Sequence, residues 1–236
     1  GAYGPGSPYN RFFPSLGNHD FSDGGGLSAY LSYFTLPGAG ISSTNTSGNE
    51  RYYDFTQGPV QFFVLSADPN EPDGWTSSST QAQWLQARLG ASTATWKIVY
   101  FHRTPYSSGS QNGPTLEMRW PFQEWGATAV IAAHVHNYER IMKNGFQYFV
   151  SGLGGNGMYG FNATPEPGSA VRYNANYGSM LVKASLDSIT FEFYSIAGGA
   201  GGTGSTARAW PARSARARPA TLLDRVMTWA PLGLRR

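Results

Sequence analysis

Read for apolar and polar periodicity, the chain alternates short apolar runs with polar, Gly-rich breaks. VQFFVLSAD (Val60–Asp68) is a β-prone run that ends on a carboxylate. WKIVYF (Trp96–Phe101) has the pattern of a buried strand, and TAVIAA (Thr128–Ala133) is another short apolar strand. SSTQAQWLQARLG places Trp84, Leu85 and Leu89 at helical spacing, with Ser and Thr at its start and Gly90 at its end. PTLEMRWPFQEWG predicts a helix interrupted at Pro121. FQYFVSG (Phe146–Gly152), GSMLVKASL and DSITFEFYSI predict three more strands, the last two a hairpin turning near Asp187. Helices between the early strands and consecutive strands late in the chain predict a layered α/β sheet domain with mixed strand direction. No internal repeat is present.

Composition narrows the class. At 236 residues the chain can form one sizeable domain with its own core. Its 30 Gly and 15 Pro imply many loops. No apolar run approaches the roughly 18 residues that a membrane span needs, and GAYGPGSPYN lacks the charged and apolar regions of a signal peptide. The absence of cysteine excludes disulfides and thiolate ligands.

A pI near 9.1 invites a nucleic-acid reading, but the charge lies in the wrong place for it. Residues 207–236 carry seven of the 17 basic residues and one of the 14 acids, so the rest of the chain, with ten and 13, is net acidic. The basicity belongs to a Gly/Ala/Arg/Pro-rich tail, residues 197–236, and not to a groove on the body. That composition predicts a disordered or aberrant segment, with a short helix possible in TLLDRVMTWAPLGL. The expected organisation is a domain over 1–196 and this tail.

The candidate chemistry comes from the four histidines. His19 lies in GNHD after the apolar run RFFPSL, His102 follows WKIVYF, and His134 and His136 follow TAVIAA. All four therefore sit where strands are expected to end, the edge at which open α/β sheets bind ligands. On an extended segment His134 and His136 would share a face. Imidazole with the Asn18 amide oxygen and carboxylates is a mixed N/O donor set suited to zinc, iron or manganese. Taken singly, each feature has a plain reading. A lone histidine at a strand end is more often a surface residue than a ligand, GNHD reads as a turn, and HRTPY reads as a proline turn. The joint pattern leaves no histidine over for such a role.

GNHD (17–20), FHRTPYSSG (101–109) and AAHVHNYER (132–140), in that order, resemble the calcineurin-like metallophosphoesterases, and in particular their purple acid phosphatase branch. QAQWLQARL and FQYFVSGLGG add to the likeness, which covers about Phe12 to Ile196. The resemblance implies two mixed β-sheets packed as a sandwich, flanked by helices. It also implies two metal ions that bind phosphate between them, iron with zinc or manganese. Asn18, His102 and His134 match ligands of the second metal, and His136 a ligand of the first. His19 matches a phosphate contact that protonates the leaving group, with Asp20 orienting it. Tyr138, Glu139 and Arg140 match a supporting motif. The implied reaction is hydrolysis of a small-molecule phosphate ester, of acid phosphatase type, in a secreted or periplasmic setting, with neither nucleic acid nor membrane as partner.

The departures are specific. The family's Asp-x-His and Gly-Asp motifs are absent from the sequence, and Ala133 stands where a Gly is usual. The second metal keeps three matched ligands and the first keeps one. The chain therefore reads as the later two-thirds of a catalytic domain. The alternatives are a non-catalytic scaffold that keeps part of the second metal site, and a phosphodiesterase or nucleotidase of the same superfamily.

Overall fold

A computed structural model describes residues 11–38, 46–196, 205–207 and 225–229. Two short helices, α1 (Asn18–Ser22) and α2 (Leu27–Tyr33), precede the first sheet. That sheet holds β1 (Tyr53–Gln57), β2 (Val60–Val64), β3 (Trp96–Arg103), β4 (Ala129–Ala133), β5 (Tyr138–Lys143), β6 (Phe146–Ser151) and β7 (Ser169–Tyr173). Helix α3 (Thr80–Ala91) connects β2 to β3. The order across the sheet is β1-β2-β3-β4-β6-β5-β7. The pairs β2·β3, β3·β4 and β4·β6 are parallel, and the flanking pairs are antiparallel. A second, antiparallel sheet has β8 (Gly178–Ala184) and β9 (Ile189–Ser195) at its centre. This is the expected pair of sheets, the first of mixed direction.

Alternation along the central strands builds two cores. Phe62 and Val64 of β2, Ile98 and Tyr100 of β3, and Ala129 and Ile131 of β4 point to one face. There they pack with Met180 and Val182 of β8 and with Ile189, Phe191 and Phe193 of β9. Phe63, Val99, Phe101, Val130 and Ala132 point to the other face, against Ala82, Leu85 and Leu89 of α3. Strands buried on both sides must read as unbroken apolar runs, as β3 and β4 do. Each fully buried Leu or Phe contributes about 1.5–3 kcal/mol. Helix α3 starts where the Ser79 hydroxyl accepts a bond from the Ala82 amide at 3.2 Å.

Three sequence expectations differ from the structure. RFFPSL forms no strand, because Pro14 has no amide proton for a ladder. Tyrosine hydroxyls bind its carbonyls instead: Tyr53 and Tyr30 donate to Pro14 O at 2.7 and 3.2 Å, and Tyr100 donates to Phe13 O at 2.6 Å. This fixes the segment that leads into α1. The run 114–126 yields only a 3₁₀ turn, Leu116–Met118, followed by turns. Trp120 Nε1 donates to Glu117 O at 2.8 Å and holds the chain tightly coiled before Pro121. In the tail, β10 (Ser205–Ala207) pairs with β9, and β11 (Arg225–Trp229) pairs with β8. A strand thus occupies part of the expected helix, consistent with the β preference of Val226, Thr228 and Trp229. The remainder of 197–236 lies outside the described residues.

Candidate metal centre

The parallel strands β2, β3, β4 and β6 all end at one edge, and the candidate residues gather there. His102 lies within β3, one residue before its end, and His134 follows β4 directly. Asn18 opens α1. The approach of α1 depends on Gly17, where a Cβ would meet the His102 ring at 3.2 Å.

His102 Nε2 lies 2.8 Å from Asn18 Oδ1 and 2.9 Å from His134 Nδ1. A neutral ring nitrogen is either donor or acceptor, so one proton on His102 Nε2 cannot satisfy both neighbours as ordinary hydrogen bonds. A cation on their common side would satisfy all three atoms. Metal–N and metal–O bonds of about 2.0–2.2 Å at near right angles set adjacent donors roughly 3 Å apart, and the observed spacings match. Burial and the neighbouring His134 hold the His102 pKa down to about 3; burial and the adjacent Arg103 hold that of His134 down to about 4. Both rings are thus neutral at physiological pH, the form that ligates a metal. Among the described residues no three His, Cys, Asp or Glu side chains are grouped to hold a metal ion. The converging trio takes its third donor from an amide, Asn18.

The His134–His136 segment is not extended. His134 has φ of 67°, and residues 134–137 form a bend. The two rings therefore have separate environments rather than one shared face. His136 Nδ1 donates to Gly157 O at 2.8 Å, and its ring stacks on Tyr159 with centroids 4.1 Å apart. A backbone carbonyl on one ring nitrogen is the usual support of a metal-binding histidine and leaves Nε2 free. The bend also requires Gly152, since a Cβ there would overlap the Val135 carbonyl oxygen. His136 and His19 lie close enough for their charges to depress the pKa of His102 and of His134.

His19 is exposed, and its Nδ1 contacts Asp23 Oδ2 at 2.9 Å. The carboxylate paired with His19 is thus that of Asp23. Asp20 Oδ2 accepts from the Gly17 amide at 2.7 Å and closes the start of α1. Glu139, fully buried, accepts from Ser108 N at 2.7 Å, from Ser169 Oγ at 2.5 Å, and from Ser108 Oγ. It ties the loop after β3 to β5 and β7.

Sequence reasoning missed Arg103, Tyr159 and Gly157, and gave Asp68 no assigned place. Arg103 Nη1 lies 3.3 Å from His134 Nε2, and its Nη2 lies 3.4 Å from Asp68 Oδ2. Arg103 follows His102 in β3 and could have been found on that ground; Gly157 and Tyr159 left no signal, because they act through a carbonyl and a ring face.

Comparison with known proteins identifies the family. Residues 2–138 match the calcineurin-like phosphoesterase family, and the chain belongs to that family. Among solved structures it is similar to a purple acid phosphatase from yellow lupin (Lupinus luteus) seeds, at 18% identity and a TM-score of 0.60. That match covers 84% of this chain and 38% of the lupin chain, so the chain spans well under half of that protein's length. It is also similar to GAP50, the anchor in the inner membrane complex of Plasmodium, at 17% identity and a TM-score of 0.62. Here 89% of this chain and 69% of the other are covered. At these identities the likeness is one of fold. No curated protein gives a significant match. Among the described residues no helix is long and apolar enough to cross a membrane.

Proposed function

We propose that the chain hydrolyses small-molecule phosphate esters with two metal ions, as an acid phosphatase-like phosphomonoesterase. The observation that carries this reading is the meeting of Asn18, His102 and His134 at 2.8–2.9 Å on the sheet edge of a calcineurin-like phosphoesterase. These three would hold one metal, and His136, through its free Nε2, would contribute to the other. Iron with zinc or manganese suits such donors. Bound metals supply Lewis-acid polarisation of the phosphoryl group and an activated water.

The chain's own residues do the positioning. Asp20 caps Gly17 and so fixes the first turn of α1, which carries Asn18 and His19. With Nδ1 paired to Asp23, His19 presents Nε2 as the atom that hands a proton to the leaving alkoxide. Glu139 anchors the loop beyond Arg103. We take residues 1–196 as the phosphoesterase unit, with 197–236 appended, and place the protein in a secreted or periplasmic setting.

A second reading, a scaffold with an incomplete centre, is favoured by one observation. His136 meets Gly157 and Tyr159, and forms no hydrogen bond with Asn18, His102 or His134 among the described residues. Turnover of p-nitrophenyl phosphate with added manganese, zinc or iron separates the two. The phosphatase reading expects metal-dependent turnover that falls to the metal-free level in His102→Ala. Turnover unchanged in that variant would sink it, and bound metal without turnover would support the scaffold.

A further inference from the structure

Arg103 has no part in the proposed ligand set, yet its side chain reaches His134. Its side chain is about three-quarters buried, with an exposure of 24%. Its two contacts, 3.3 Å to His134 Nε2 and 3.4 Å to Asp68 Oδ2, lie beyond the usual 2.7–3.2 Å of an N–H···O bond. Its Nε is buried without a hydrogen-bond partner. Such a guanidinium is weakly held and retains donors to offer.

The His134 contact is also conditional. Arg103 can donate to Nε2 only while Nε2 carries a lone pair, which puts the ring proton on Nδ1. A neutral histidine that ligates through Nδ1 carries its proton on Nε2 instead. Two donors would then face each other across 3.3 Å, and Asp68 Oδ2, 3.4 Å from Nη2, would remain the acceptor for Arg103. A metal held by Nδ1 would therefore free Nη1 from His134, while the Asp68 contact would keep the arginine near that ring.

Resting on the proposed metal site, we infer that Arg103 is a substrate-binding residue, which leaves His134 when metal loads and grips the phosphoryl oxygens of the ester. A planar guanidinium with paired N–H groups matches phosphate as a bidentate acceptor; an ammonium or a neutral side chain does not. Since the Arg103 bond to His134 Nε2 favours the tautomer with its proton on Nδ1, which cannot ligate there, removing the arginine should not weaken metal binding.

Isothermal titration calorimetry of the full chain tests this, first with manganese chloride and then with inorganic phosphate on the manganese-loaded protein. Arg103→Met should bind manganese at least as tightly as wild type and phosphate about tenfold more weakly, the loss of one charge-assisted bond of roughly 1.4 kcal/mol or more. Arg103→Lys, which keeps the charge and loses the fork, should fall between them and stays informative if Arg103→Met fails to fold. Wild-type phosphate affinity in the variants would overturn the inference. So would a tenfold loss of manganese affinity, since Arg103 would then be a support for His134. A His102→Ala control isolates the underlying reading: manganese binding undiminished there would remove the metal site itself, whatever Arg103 does.

Discussion

Replacing Glu139 by Ala removes the acceptor that holds the loop after β3 to the sheet. Three donor groups lose their partner: Ser108 N, Ser108 Oγ and Ser169 Oγ. A hydrogen bond to a charged group contributes about 1.5–3 kcal/mol net, and a buried donor left unpaired costs about 1–3 kcal/mol. The hydroxyls can rotate toward other acceptors, whereas the Ser108 amide cannot. Burial of the carboxylate offsets part of the gain, because its own desolvation is costly. The net expectation is a loss of about 3–5 kcal/mol for Glu139→Ala. Glu139→Gln keeps the shape, one carbonyl oxygen for Ser108 N, and an amide that the two hydroxyls can accept from. Its cost should be about 1–2 kcal/mol. Urea unfolding followed by tryptophan fluorescence measures both, with a lower midpoint at unchanged slope. Variants that both unfold within about 0.5 kcal/mol of wild type would refute the clamp.

Two further changes probe the scaffold. Gly152→Ala drives a methyl into the Val135 carbonyl and should destabilise by about 1–3 kcal/mol or more, while lowering manganese affinity through the His134–His136 bend; normal affinity in a folded variant would contradict that coupling. Ser79→Ala removes the α3 cap and should cost about 0.5–2 kcal/mol in urea unfolding, with metal binding unchanged because the cap bonds only Ala82 of the helix itself.

Local apolar runs carried much of the fold. Trp96–Phe101 and Thr128–Ala133 are legible because strands covered on both faces have no polar alternation to confuse the reading, and Ser79 with Leu85 and Leu89 gave α3. Tyr53–Gln57, Tyr138–Lys143 and Ser169–Tyr173 were not assigned, since outer strands mix polar and apolar residues and take their identity from the neighbour they pair with. Pro14 sits in an apolar stretch whose ladder it forbids, and the tyrosine donors that replace the ladder come from distant positions; the interruption at Pro121 was legible, but not how little helix would precede it. At the site, residue types pointed to Asn18, His102 and His134 from three separate segments, and the structure places them in contact. The left-handed backbone at His134 could not be read, because packing against Gly152 sets it; the Asp23 partner of His19, four residues on, was legible as a helical pair and was overlooked.

The central claim is that Asn18, His102 and His134 form a metal site. Its most direct test is metal content after equilibration with manganese or zinc and exhaustive dialysis, measured by plasma mass spectrometry on wild type, Asn18→Ala, His102→Ala and His134→Ala. The account predicts at least one ion retained per wild-type chain and loss of that ion in each folded variant. Wild-type chains that retain none, or variants that retain as much as wild type, would contradict it.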